Sequence, residues 1–206
     1  MSEQDSVGKN SLSRRDFLKL LGAGGVALAF TPFVDWGKYM PNPQSMNLAR
    51  AQVILPDGTH ANVNSFPVNH AATITYPSSG DSVLDKEPFK QWQLIRLPAE
   101  LGGAVNDVSA FRVYSMVCLH LWCLWQYKPI TEKGGNNKGQ CPCHASTYDP
   151  LTGKAIEGPA SLQAPPSNVL ATLHLETDTE GNLWIKPATW DLYKNGIIGY
   201  GRLLAT

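Results

Sequence analysis

All four cysteines of this 206-residue chain fall between positions 118 and 143, and two of its five histidines lie with them, His120 among them and His144 directly after the last. They make two boxes, Cys118-Leu119-His120-Leu121-Trp122-Cys123 and Cys141-Pro142-Cys143-His144-Ala145-Ser146-Thr147-Tyr148. A fold that uses these residues together has to bring two loops, separated by residues 121–140, to one point. Iron binds both thiolate and imidazole, and a two-iron cluster can be held with two cysteines on one iron and two histidines on the other. Each box can supply one of each: Cys118 and His120 from the first, Cys141 and His144 from the second. Neutral imidazoles in place of thiolates reduce the negative charge and lift the potential to between about −150 and +300 mV. Two other uses stay open on the residues alone. Two cysteines and two histidines also close a tetrahedral zinc site, although C-x-H with C-x-x-H is not its usual knuckle spacing. Cys123 and Cys143 could also be further ligands.

Upstream, Ser13-Arg14-Arg15-Asp16-Phe17-Leu18-Lys19 matches the twin-arginine export signal at each position, and such signals address a chain to export. Residues 1–15 read as a cytoplasmic tail and residues 16–36 as signal and single transmembrane anchor. Leu20 to Val34 carries no charge, and the stretch reaches about 20 residues, enough for a bilayer, once Lys19 and Asp35 extend to the two interfaces. Trp36 and Tyr39 suit the far interface. A cleaved signal is the alternative, but no small-x-small site directly follows the apolar run. Arg14, Arg15 and Lys19 keep the N-terminus in the cytoplasm, which puts the rest of the chain on the outer face of the cell membrane. Residues 37–51, with Gly37, Pro41 and Pro43, read as a flexible linker.

Residues 52–206 read as one all-β domain, an antiparallel sandwich. Strands are expected at Gln52–Leu55, Ala72–Tyr76, Gln91–Leu97, Ala110–Val117, Val169–Glu176 and Asn182–Lys186, from alternation and β-branched or aromatic content. The 18 glycines and 15 prolines suit a turn-rich β fold. Lys+Arg and Asp+Glu are both 17, so no basic surplus points to nucleic acid.

The two boxes resemble the Rieske [2Fe-2S] protein family over about residues 117–159, and the anchor and linker agree with its membrane-bound, quinol-oxidising branch. The resemblance implies a Rieske β-sandwich with an inserted cluster-binding subdomain at about 117–166, holding one [2Fe-2S] cluster per chain on Cys118, His120, Cys141 and His144. It implies a disulfide between Cys123 and Cys143, which an exported head can keep. It implies that Ser146 and Tyr148 donate hydrogen bonds to cluster sulfur and so raise the potential, and that Gly158-Pro159-Ala160 covers the cluster. It implies that His120 and His144 form the reactive tip and that Leu121 docks in the quinol pocket. The activity implied is one-electron oxidation of a membrane quinol beside a cytochrome b-type subunit, with the electron passed to a cytochrome c-type or other acceptor. The runner-up is a relay subunit of a periplasmic molybdenum oxidase such as arsenite oxidase. The family often has glycine where Trp122 and Ala145 stand, and the stretch from His120 to Cys141 is longer here than usual, with Gly134-Gly135-Asn136-Asn137-Lys138-Gly139 as the insertion.

Overall fold

A computed structural model describes residues 13–19, 21–22, 46–165 and 167–190. The chain divides into two compact units, Met1–Pro43 and Gln44–Thr206. In the first, residues 14–19 and 21–22 are helical, and the Ser13 hydroxyl caps the first turn by accepting from the Asp16 backbone N–H at 3.1 Å. Among the described residues no helix is long and apolar enough to cross a membrane. Most of the expected anchor and linker lies outside the described residues.

The described part of the second unit holds β1 (Met46–Leu48), β2 (Ala51–Gln52), β3 (His70–Thr75), β4 (Gln91–Arg96), β5 (Phe111–Ser115), β6 (Gln126–Lys128), β7 (Lys138–Gln140), β8 (Thr147–Tyr148), β9 (Ala155–Glu157), β10 (Thr172–Leu173), β11 (Leu175–Thr177), β12 (Leu183–Ile185) and β13 (Ala188–Trp190). All the pairings between these strands are antiparallel. They make one four-stranded sheet ordered β10-β5-β4-β3, a three-stranded sheet β11-β12-β2, a second four-stranded sheet β6-β7-β8-β9 and the pair β1-β13.

The central sheet is buried on both faces, and the alternation of its side chains explains how. Successive strand residues point to opposite faces. Leu94 of β4 and Val113 of β5 enter a core with Leu183 and Ile185 of β12. Their neighbours Ile95 and Tyr114 enter a second core with Trp125, Tyr127, Cys118, Cys141 and Tyr148. The first core closes the sandwich, and the second seats the small sheet that carries the two boxes. Arg96, on the first face, is almost fully buried. Its guanidinium is satisfied by the carbonyls of Gly103, Val63, Phe66 and Val105 and by Asn106 Oδ1, at 2.6–3.0 Å, the condition for burying a charge without a carboxylate.

The expected strand Val169–Glu176 is divided. Thr172 and Leu173 pair with β5, while Leu175 to Thr177 pair with β12, so the chain changes sheets at His174. The strands β6 to β9 were not expected from the sequence: at two or three residues each they are too short to show an alternation. The insertion between the boxes is tied to the sandwich. Asn137 Nδ2 donates to Glu100 Oε1 at 3.1 Å, Asn69 Nδ2 to Asn137 Oδ1 at 2.9 Å, and Tyr127 Oη to Asn69 Oδ1 at 2.6 Å.

Candidate metal centre

Each box folds into a turn closed by the same two backbone bonds. The Cys118 N–H donates to the Cys123 carbonyl at 2.8 Å and the Trp122 N–H to the Cys118 carbonyl at 3.1 Å. In the second box the Cys141 N–H donates to the Ser146 carbonyl at 2.9 Å and the Ala145 N–H to the Cys141 carbonyl at 3.1 Å. Both turns need a left-handed residue at the same place, Trp122 at φ 61° and Ala145 at φ 58°. These are the two positions at which the chain departs from the glycine often found in the family it resembles, and a Cβ in that region costs about 1–2 kcal/mol.

Cys123 and Cys143, one from each box, are joined in a disulfide. Among the described residues, the Cys123, Cys143 and Cys141 sulfurs lie within 4.8 Å of one another. The first two are spent on each other, so this trio is not a ligand set. Cys118 and Cys141 are the free cysteines, and both are buried. Burial pushes the Cys141 thiol up in the metal-free protein, and the adjoining Cys118 sulfur adds to this, while the N–H groups of Cys143 and His144 aimed at the sulfur act the other way. The imidazoles of His120 and His144 meet edge to face with centroids 4.7 Å apart. His120 Nδ1 is buried and has no hydrogen-bond partner among the described residues. A buried imidazole nitrogen without a partner is costly, and a metal ion would satisfy it. Two buried thiols, two meeting imidazoles and that orphaned nitrogen fit the donor set of a cluster with two cysteines and two histidines.

The expected tuning residues come from β8 and the turn before it. Tyr148 Oη donates to Cys118 Sγ at 3.1 Å and accepts from the Leu119 N–H at 3.0 Å. It therefore reaches from the second box to the thiol of the first. Burial, then the nearby Cys118 sulfur, hold its phenol well above the usual range, which keeps it a proton donor. Tyr148 packs on Trp125, centroids 5.3 Å apart, and Gly139 leaves room for that stack, because a Cβ there would sit 2.5 Å from the indole. Ser146 is fully buried, and its Oγ accepts from the Ala160 N–H at 3.2 Å, leaving its own proton for another acceptor.

The expected covering segment, Gly158-Pro159-Ala160, packs against the second box. Gly158, at φ 74°, lies so close to it that a Cβ would fall 2.8 Å from the Ala145 carbonyl oxygen. Gln163, not singled out from the sequence, donates from Nε2 to the Leu119 carbonyl at 2.6 Å. It ties the covering segment to the first box. No local pattern marks such a residue, since the contact joins positions 44 apart. At the tip, Leu121 is 63% exposed and Trp122 49%.

Comparison with known proteins gives two family matches: the Rieske [2Fe-2S] domain over residues 99–173 and the twin-arginine translocation pathway signal sequence over residues 11–31. The chain is 34% identical over 169 residues to the ubiquinol-cytochrome c reductase iron-sulfur subunit of Rhodospirillum rubrum, covering 74% of this chain and 84% of that protein. It is 29% identical over 195 residues to the cytochrome b6-f complex iron-sulfur subunit of Synechococcus elongatus, covering 90% of each. A Haloferax mediterranei protein provisionally named as the Rieske subunit of a respiratory nitrate reductase is 28% identical over 199 residues, covering 93% of this chain and 82% of that protein.

Proposed function

Because the chain belongs to the Rieske [2Fe-2S] protein family, we propose that it is the iron–sulfur subunit of a respiratory quinol-oxidising cytochrome bc-type complex. The observation that carries this reading is the 34% identity, over most of both chains, to a subunit named for ubiquinol-cytochrome c reductase, joined to a site whose donors fit the cluster.

Cys118, His120, Cys141 and His144 would hold one [2Fe-2S] cluster, which supplies a one-electron acceptor when bound. The chain's residues do the rest. With Nδ1 of His120 or His144 turned to the metal, Nε2 is the nitrogen left to accept a hydrogen bond, and then the proton, from a quinol hydroxyl. Leu121 beside it fills apolar space in the partner and excludes water. Tyr148 and Ser146 donate to sulfur, which favours the more negative, reduced state and raises the driving force for quinol oxidation. The disulfide pins the two loops together; closing a loop of this size contributes about 3 kcal/mol by chain entropy.

In this reading residues 1–15 are a cytoplasmic tail, 16–36 an uncleaved anchor, 37–51 a linker that lets the head move between a cytochrome b-type subunit and its electron acceptor, and 52–206 the head on the outer face. A relay subunit of a periplasmic molybdenum oxidase is the second reading; what stands beside it is a relative whose name places a Rieske subunit in a different respiratory enzyme, a nitrate reductase. A pulldown from detergent-solubilised native membranes separates them. A b-type haem spectrum with the chain supports the first, and a molybdopterin subunit without b haem overturns it. A mature N-terminus at Gln52 in a soluble fraction would reject the anchor.

A further inference from the structure

The residue at φ 61° in the first box is the largest one available, where its counterpart at φ 58° in the second is alanine. A bulky side chain in the left-handed region is a true outlier, and such outliers point to a role held against strain. Trp122 keeps 49% of its surface exposed, so burial does not account for it. Its ring meets Phe89 edge to face, with centroids 5.9 Å apart. Phe89 belongs to the short 3-10 turn Pro88–Lys90 that leads into β4, so the contact joins the cluster loop to the sandwich.

No Asp, Glu, Lys or Arg occurs from Val113 to Tyr127 or from Gly139 to Tyr148, and Leu121 and Leu124 are exposed beside Trp122. The segment that leads into Phe89 carries the exposed charges Asp81, Lys86 and Glu87. A half-exposed indole in an uncharged tip has the character of an interface anchor: a large apolar face with one polar N–H.

We propose that Trp122 is a positioning residue for quinol oxidation. Braced by Phe89, it seats on the apolar rim of the membrane-embedded b-type subunit and sets the depth and tilt at which His120 and Leu121 enter. The occupant is that subunit because the uncharged surface is continuous with Leu121 and suits a partner face within the membrane; this rests on the quinol-oxidising reading above.

The test uses the full chain in its assembled complex. Trp122→Gly relieves the backbone strain, so the variant should fold with a melting temperature unchanged or raised and the same midpoint potential. Its kcat/KM for quinol should fall about tenfold or more, since small displacements of reacting groups cost factors of this order. Trp122→Phe should recover most of the loss, and Phe89→Ala should reproduce part of it with the indole present. Normal turnover in Trp122→Gly overturns the proposal, as does a loss of turnover that accompanies a changed potential or a lowered melting temperature. A photo-crosslinking amino acid at position 122 decides the partner independently of turnover: capture of the b-haem subunit supports the proposal, and capture of another subunit or of none overturns it. A complex that contains b haem but oxidises no quinol would instead break the functional reading, with the crosslink still deciding where Trp122 sits.

Discussion

In the turn from Cys118 to Cys123 and in the turn from Cys141 to Ser146, the backbone makes the same two hydrogen bonds to within 0.1 Å. Both turns expose their tips, Leu121 and Trp122 in the first and the matching His144 and Ala145 in the second, and they part just beyond: Leu124 after the first is exposed, whereas Ser146 and Thr147 of the second are buried. One scaffold used twice thus ends in apolar Leu121 and Trp122 at one tip and in His144 and Ala145 at the other, and only the second continues into a buried hydroxyl that donates to sulfur, Tyr148. The crossing point is Tyr148, which belongs to the second box and donates to the cysteine of the first. A shared backbone does not set a loop's task. The residues next to it in the chain and the side chains packed behind it do.

The comparison breaks most visibly if the two turns are unequal as ligand carriers. Cys118→Ser and Cys141→Ser should each abolish bound iron and the visible absorption of the cluster, to the same extent, by iron analysis of purified protein. Full retention in either would remove that cysteine from the ligand set.

Next in size is the cover over the second turn. Gly158→Ala places a methyl 2.8 Å from the Ala145 carbonyl at a left-handed backbone and should cost about 1–3 kcal/mol. Thermal or denaturant unfolding of the head reads this directly, and an unchanged midpoint would mean that the segment yields without loss.

A third measurement separates tuning from docking. Tyr148→Phe removes the donor to Cys118 Sγ and should lower the midpoint potential by about 40–100 mV, the one-electron equivalent of a hydrogen bond of about 1–2 kcal/mol. Leu121→Ala should leave the potential of the isolated head nearly unchanged yet depress quinol oxidation by the complex. Potentiometric titration of both heads beside turnover of both complexes tests the pair; the opposite pattern would reverse the roles given to the two turns.

The smallest effect concerns strain. Ala145→Gly suits φ 58° and should stabilise the head by up to about 1 kcal/mol, a rise of a few degrees in melting temperature, with no change in potential.

Much of the site was legible because its chemistry is written in short spacings. Cys118 and His120 are two residues apart, Cys141 and His144 three, and Ser146 and Tyr148 come within four of His144; a turn keeps such neighbours together whatever the rest of the chain does. The long strands β3, β4 and β5 were legible for a similar reason, since several residues of alternation and β-branching suffice to show a period. The short strands of the cluster-bearing sheet carry no such signal, and the sequence could not tell that Ile95 and Tyr114 face a second core while Leu94 and Val113 face the first. By itself the sequence determined the donor types, the export signal and the all-β character, because these depend on residue identity and local order. Only the tertiary structure decided that Tyr148 reaches the sulfur of Cys118, that Gln163 holds Leu119, that Asn137 moors the insertion to Asn69 and Glu100, and that Trp122 leans on Phe89. Each of these contacts joins residues some 30 or more apart along the chain, so its geometry exists only once the packing around both partners is complete.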